Sequence, residues 1–443
     1  MIWPMDVDVV VIGMGPGGEE VAGSLAAAGL SVVGIEDRLV GGECPYWGCI
    51  PSKAMVRAAD ALAEGRRVEN LAGTAEITPE WQKVAERVQE VTADWNDEAA
   101  VKRFTDKGGR LVRGKGRLTG PKEVRVGDEV FRARRGVVIA TGTAPAVPKI
   151  DGLSDTPYWT NREAIETKTR PESLIVLGGG AIGCELAQVF SRFGSRVTVV
   201  EAAERLVSPE EPESGALLKK VFEAEGIDVR VGAKAEQVRY DDAFVVNDDI
   251  RAEKLLVAIG RRTNLQGLGL DTVGLDDQQR FVEVDDRLRA GDGLWAVGDI
   301  TGKGAFTHVS VYQARIAARD ILGEDGPRAD YHALPRVTFT DPEIGAVGLT
   351  EKQAREQGRD IKIYTTDLAN SSRGWLHGAE GFLKLIESDG RLVGATSAGP
   401  YGGEILGALA VAVHAEVPVR KLREMIYAFP TFHRAIEAAL LGT

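Results

Sequence analysis

The sequence predicts an α/β fold: two βαβ units, each in three layers, followed by a C-terminal α+β domain. Three observations predict it. A glycine-rich strand–turn–helix motif occurs twice, each copy carries an acidic residue at the same distance, and the pattern changes from Tyr331 onward. The 443 residues suffice for about two to four domains and a large buried core. Apolar residues at 44% and charged residues at 27% place the chain among globular proteins. A net charge of −12 argues against nucleic acid and against anionic membrane as partners, because both present negative charge. The apolar run Ile405–Val413 is too short to cross a bilayer. The start "MIWPMDVDVVVIG" lacks the basic residues and cleavage site of a signal peptide, so a cytoplasmic location is expected.

The first copy, "DVDVVVIGMGPGGEEVAGSLAAAGLSVVGIED", opens as a β-branched strand and turns through Gly13, Gly15 and Gly18 into an amphipathic helix. A second strand then ends on Glu36. The segment "SLIVLGGGAIGCELAQVFSRFGSRVTVVEA" repeats the plan with Gly178, Gly180, Gly183 and Glu201. In both copies the acid follows the first glycine by 23 positions (13 to 36, 178 to 201). One G-x-G-x-x-G is weak evidence; two copies with equally spaced acids are strong. The first glycine permits the tight turn, the second admits a pyrophosphate, and the third lets helix and strand pack. The diphosphate then meets the positive end of the helix, and the carboxylate accepts ribose hydroxyls. These are Rossmann-like units, so two dinucleotides, or one dinucleotide and a flavin, are expected. Glu201 would repel a 2′-phosphate and Arg205 stands four residues on, which favours NADH, with NADPH as the alternative.

Between and after the units the elements read in order. Ser52–Glu64 and Pro79–Phe104 have helical periodicity, the second with Trp81, Val84, Val88, Val91 and Trp95 as a core stripe. Leu111–Arg135 alternates as short strands with Gly-Pro and Gly-Asp turns. The runs "RRGVVIATGTAPAVPKI" and "LLVAIGRRTN" close the two units. "GLWAVGDITG" then places Asp299 at a strand end, and a helix begins near His308, where its positive end would favour negative charge on a reduced ring system. From Tyr331 the β–α mixture carries no glycine fingerprint, which marks a separate domain.

The chain has three cysteines, Cys44, Cys49 and Cys184. Cys44 and Cys49 lie in "GGECPYWGCIPSKAM", for which zinc site, structural staple and redox disulfide are the competing readings. A zinc site usually needs four ligands at paired spacings, and no second cysteine pair exists. A structural disulfide is uncommon in a reducing compartment. The redox reading is favoured. On a regular helix five positions rotate a side chain by about 140°, so the two sulfurs would diverge. The backbone is therefore expected to be distorted at this loop, where Pro45 and Gly48 stand. A helix starting near Ser52 would help hold a thiolate. Cys184, after the second glycine motif, reads as a small packing residue.

With these motifs the chain resembles the flavin-dependent pyridine nucleotide–disulfide oxidoreductases of the glutathione reductase, lipoamide dehydrogenase and mercuric reductase group. "GGECPYWGCIPSK" is similar to the family loop G-G-T-C-x-N-x-G-C-I-P-S-K, and "VIATGTAP", "AVGDITG" and "PRVTFTDPEIGAVGLTE" are similar to its other signatures. The resemblance implies FAD on the first unit, held by Gly13, Gly15, Gly18, Glu36, Gly42, Lys53, Thr141, Gly142, Asp299 and His308. It implies the nicotinamide cofactor on the second, at Gly178, Gly180, Gly183, Glu185, Glu201 and Gly260. An FAD domain at 1–148 and 264–328, an NAD(P) domain at 149–263 and an interface domain at 329–443 are implied, with a homodimer. Lys53 would pair with Glu185 near the flavin, Cys49 would face the flavin as the charge-transfer thiolate, and Cys44 would attack the substrate. No metal is implied.

The chain departs from the family at the proton-transfer site. Disulfide-reducing members carry H-P-T-x-x-E; here "AFPTFHRAIEAAL" puts Phe429 at the histidine position and Arg434 at the acid position. Neither side chain can exchange a proton near neutral pH. His433, four residues after Phe429, reads as a surface residue or as an altered acid–base group. The loop also has Pro45, Tyr46 and Trp47, which either shape a pocket or pack. Four readings follow. The leading one is an enzyme passing electrons from NADH through FAD to a Cys44–Cys49 disulfide and on to a small thiol or disulfide. A second is reductive C–S cleavage or carboxylation, similar to the 2-ketopropyl-coenzyme M oxidoreductase/carboxylase branch. Diaphorase-like electron transfer and a non-enzymatic, redox-responsive binding protein are the others. Mercury delivery has no support, because the paired C-terminal cysteines of mercuric reductases are absent from the sequence.

Overall fold

A computed structural model describes residues 4–442. The chain gathers into two compact units. The first runs up to Pro51 and takes in Glu86–Ala146 and Arg261–Asp330; the second is Ser52–Ala85, Val147–Gly260 and the chain from Tyr331 onward.

The first unit is built on an eight-stranded sheet. Its main path runs Arg289–Gly291, Leu294–Ala296, Glu129–Ile139, Met5–Ile12, Val32–Glu36 and Arg110–Arg113. The four pairings from Leu294–Ala296 to Arg110–Arg113 are parallel. Alternation in the central strand explains the layers: Val9 and Val11 enter one core, and Val10 and Ile12 the other, which Val7 joins because the register shifts between Val7 and Val9. On the first face the helix Pro16–Ala27 brings Val21, Ala22 and Leu25 into one cluster with Ala314, Ala317 and Ile321 of the helix Thr307–Leu322. Each such large aliphatic buried from water contributes roughly 1.5–3 kcal/mol. The strands that flank Met5–Ile12 belong to chain segments lying far apart. Ligands of such sheets bind at this switch point, beyond the carboxyl ends of the strands.

The second unit holds a four-stranded parallel sheet in the order Asp228–Val231, Arg196–Glu201, Ser173–Leu177, Lys254–Val257. It also holds a five-stranded antiparallel sheet, Pro335–Thr338, Glu343–Gly348, Arg391–Gly399, Phe382–Ser388 and Lys362–Asp367. Ile405, Leu406 and Leu409 of the helix Gly402–His414 share a core with Leu383 and Leu385 of that sheet. Among the described residues no helix is long and apolar enough to cross a membrane.

Two helix expectations need correction. The periodic segment Pro79–Phe104 is not one helix. It forms Trp81–Val91, a 3-10 turn Ala93–Trp95, and Glu98–Asp106. Ala93, Asp94 and Trp95 all have positive φ, which no α-helix of L-residues sustains. Trp81, Val84 and Val88 are buried as expected, whereas Val91 and Trp95 are half-buried at the break. The helix expected over Ser52–Glu64 is longer, running Cys49–Leu71. It therefore begins on a cysteine.

The second unit also buries a charge cluster that the sequence pattern did not announce. Arg192, 2% exposed, meets Asp60 at 2.7 Å, Glu225 at 2.6 Å and Asp341 at 2.8 Å. Burial pushes the Asp60 carboxyl up to about 6, and the Arg192 guanidinium opposes that shift. Arg192→Met would remove the ion-pair partner of Asp60 and Glu225 and leave Asp341 with Arg67 alone, so a loss of about 3–5 kcal/mol is expected in urea unfolding.

Candidate active site

The two glycine motifs have the same geometry. Gly13 has φ +93°, and an added Cβ there would lie 2.5 Å from the Ala140 carbonyl oxygen; at Gly18 it would lie 1.9 Å from that of Gly13. In the second motif the equivalent approaches are 2.4 Å at Gly178 and 2.0 Å at Gly183. The outer glycines are thus demanded by the fold. The middle ones are not: at Gly15 the nearest atom would be Gly42 Cα at 4.0 Å, and at Gly180 nothing lies within 4 Å. Open space over the middle glycine, at a helix N-terminus, fits a diphosphate. The acids are held at the strand ends. Glu36 accepts from the Met14 and Arg38 amides at 2.8 and 2.9 Å, and Glu201 from the Gly179 and Ala203 amides at 2.5 and 2.6 Å. Burial pushes the Glu36 carboxyl above its ordinary value, against the pull of those amides. These residues fit two dinucleotide-type ligands. Gly180→Val, which fills only open space, is expected to leave the unfolding temperature unchanged and to weaken NADH binding at least tenfold or so by calorimetry.

The cysteine loop lies in the first unit. Gly41 and Gly42 have φ +109° and +66°, and a Cβ at Gly42 would sit 2.8 Å from Gly15 Cα, so the loop closes directly on the first motif. A four-residue helix, Glu43–Tyr46, carries Cys44; Trp47 and Gly48 leave the helical path; Cys49 opens the helix Cys49–Leu71. The break falls between the two sulfurs, as their five-residue spacing requires. Cys44 is half-buried and Cys49 exposed, both as thiols. Cys49 Sγ lies 3.5 Å from Oγ1 of Thr307, the first residue of the helix Thr307–Leu322, and His308 follows, stacked on Phe306. The hydrogen bond with Cys49, then burial, then negative charge on Cys49 push the Cys44 thiol well above its ordinary value. Tyr46 is buried and donates to the Val40 carbonyl at 3.2 Å, which marks it as packing. Cys184 is also buried, donating to the Gly179 carbonyl at 3.2 Å.

Around the loop, Thr141 Oγ1 donates to the Asn264 carbonyl at 3.1 Å, and Asn264 returns an amide bond to the Thr141 carbonyl at 3.1 Å. Gly142, φ +62°, accepts from the Asn264 amide at 3.2 Å. Asp299 Oδ2 accepts the Thr143 hydroxyl at 2.6 Å. Thr143 in turn accepts from Arg261, whose guanidinium is 3.4 Å from Glu43. Glu43, Thr143, Arg261 and Thr307 were not among the residues singled out from sequence; Glu43, beside Cys44 where the family loop has Thr, was the available signal.

In the second unit Lys53 Nζ meets Glu185 Oε2 at 2.7 Å, and Glu185 is 4% exposed. Its other oxygen accepts the Phe339 amide at 2.9 Å, and Lys53 Nζ stands 4.9 Å from the centre of the Phe339 ring. The two residues expected to pair do so, with Phe339 as an unforeseen third member. Gly260, φ +134°, turns the chain after the strand Lys254–Val257. Phe429 is 63% exposed. The Arg434 guanidinium lies 5.0 Å from its ring centre and binds Glu437 at 3.0 Å. His433 is exposed at the start of the helix Arg434–Leu441. Among the described residues no group of three or more His, Cys, Asp or Glu is arranged to hold a metal.

Comparison with known proteins matches residues 7–314 to the family described as pyridine nucleotide-disulphide oxidoreductase, and residues 334–440 to its dimerisation domain. The chain is 33% identical over 457 residues to dihydrolipoyl dehydrogenase of Thermus scotoductus, covering 98% of this chain and 96% of that protein. It is 34% identical over 460 residues to mercuric reductase of Shigella flexneri, covering 96% and 79%. The structure of the HOCl-induced flavoprotein disulfide reductase RclA from Escherichia coli superimposes with a TM-score of 0.86 at 28% identity, covering 98% and 99%.

Proposed function

Because the chain belongs to the pyridine nucleotide-disulphide oxidoreductase family, we propose that it is an NADH-dependent enzyme that reduces its own Cys44–Cys49 disulfide and passes the electrons to a small thiol or disulfide substrate. As a flavin-dependent oxidoreductase of this family it works with FAD and a pyridine nucleotide. The single observation that carries the proposal is the cysteine pair itself. Two cysteines are held in hydrogen-bonding reach across a helix break, with Thr307 beside Cys49. FAD, when bound, supplies the two-electron relay between nicotinamide and disulfide.

The residues divide the work. Gly13, Gly15, Gly18, Glu36, Gly42, Thr141, Gly142, Asp299 and His308 would hold FAD. Gly178, Gly180, Gly183, Glu201 and Gly260 hold NADH, with Glu185 fixing Lys53. Arg205 donates to the Ser208 and Glu210 carbonyls at 2.6 and 3.2 Å, so its charge is committed away from a 2′-phosphate, which supports NADH. Two electrons and one proton break the S–S bond: Cys44 leaves as the thiol and Cys49 as the thiolate. Residues 1–148 and 264–328 form the FAD domain, 149–263 the NAD domain and 329–443 the interface of a cytoplasmic homodimer.

The weak side of the site is proton transfer. The hydrogen bond with Cys49 and burial push the Cys44 thiol up, so attack on a substrate needs a group to take its proton; Phe429 and Arg434 cannot. This observation supports a second reading. Two electrons would be delivered without thiol–disulfide exchange, either to a quinone-type acceptor or to a C–S bond. A substrate screen decides between them. Reduction of small disulfides at rates ordinary for this family contradicts the second reading. Rapid quinone reduction by a wild type that reduces no small disulfide contradicts the first.

A further inference from the structure

Glu43 departs from the family loop in a way that reaches the cofactor side. It stands beside Cys44 where the pattern G-G-T-C has Thr, and its carboxylate Oε2 is shielded from solvent. That oxygen lies 3.4 Å from Arg261 Nη2, with the two side chains 25% and 19% exposed. Arg261 is anchored twice. Its Nε donates to Thr143 Oγ1 at 2.7 Å and its Nη2 to the Thr143 carbonyl at 2.9 Å. The Thr143 hydroxyl then donates to Asp299 Oδ2 at 2.6 Å. The antiparallel pairing of Arg261–Thr263 with Thr143–Pro145 fixes this register. One guanidinium is thus held between the carboxylate next to Cys44 and, through one hydroxyl, the carboxylate assigned to FAD.

We propose that Glu43 and Arg261 are positioning residues that set the electrostatic balance between the Cys44–Cys49 couple and the FAD site. The inference rests on the reading of that pair as a redox couple. Reduction leaves a thiolate in the loop, adding one negative charge to the short segment that carries Glu43 and both cysteines. A fixed carboxylate disfavours that charge, and a fixed guanidinium favours it; in a partly buried site one such charge on the same loop changes an equilibrium by about tenfold. The pair therefore holds the couple at an intermediate potential. Either partner alone would drive it off balance, in opposite directions. A purely structural contact would not give opposite signs.

The test is an anaerobic redox titration of the purified, FAD-loaded protein against reference dyes, for wild type, Glu43→Gln, Arg261→Gln and the double variant. Glu43→Gln is expected to raise the ratio of dithiol to disulfide about tenfold, a shift of about +30 mV for a two-electron couple. Arg261→Gln is expected to lower it by a similar factor, and the double variant to return close to wild type. Glu43→Thr, the residue of the family loop, and Arg261→Lys, which keeps the charge, serve where a glutamine variant fails to hold FAD. The first should shift like Glu43→Gln, and the second should stay at the wild-type value. Shifts of one sign in both single variants, or shifts below twofold, overturn the inference while leaving the couple intact. If the wild type takes up no more electrons than Cys44→Ser, the redox couple itself is absent and both readings fall.

Discussion

Cys44→Ser is expected to lose reduction of disulfide substrates by on the order of 10³-fold or more, because a serine hydroxyl neither forms nor attacks a disulfide under these conditions. The substitution is nearly isosteric and Cys44 is only half-buried, so folding and FAD content should be unchanged. NADH oxidation with a quinone acceptor should persist within a few-fold. The measurement is a pair of steady-state assays on the same preparation, one with a disulfide and one with a quinone. Disulfide turnover at the wild-type rate would remove Cys44 from the substrate-facing role. Loss of both activities to the same extent would instead tie quinone reduction to the cysteine pair.

The second large effect is a gain. Phe429→His together with Arg434→Glu restores the proton-carrying pair of the disulfide-reducing members, and proton transfer of this kind is worth about 10²–10⁴-fold. We expect a rise in kcat for small disulfides of about 10²-fold, at the low end because Glu437 lies one turn from the new carboxylate and like charges at that spacing repel. Phe429 is exposed, so its replacement should cost little stability. The rise should carry a pH dependence with a midpoint in the histidine range, absent from wild type. A double variant with no gain would mean that the proton reaches Cys44 by another route.

Much of this architecture is legible in the sequence because it is dictated locally. A glycine whose Cβ would meet backbone within 2.5 Å has no substitute, and both motifs announce themselves for that reason. The helix break inside the cysteine loop is equally local: the rotation over five residues demands it, and Trp47–Gly48 supply it. The relay from Glu43 is a different case. It depends on Arg261 and Thr143, 118 positions apart, meeting through strand register, and no pattern in either neighbourhood signals that. Phe339 is a similar case, since it joins Glu185 through a backbone amide that any residue could provide. The broken helix at Ala93–Trp95 was hidden because Ala100 and Phe104 are buried beyond it, so the apolar spacing continues across the break.

The central claim, that Cys44 and Cys49 form a working disulfide coupled to bound FAD, is tested most directly by anaerobic titration of the purified protein with NADH, followed by absorbance. After uptake of two electrons a long-wavelength band from the Cys49 thiolate against the flavin is expected. That band should be absent in Cys49→Ser, and fully reduced flavin should follow only with further electrons. Direct passage to reduced flavin with no such band, at the same electron count in wild type and Cys49→Ser, would contradict it.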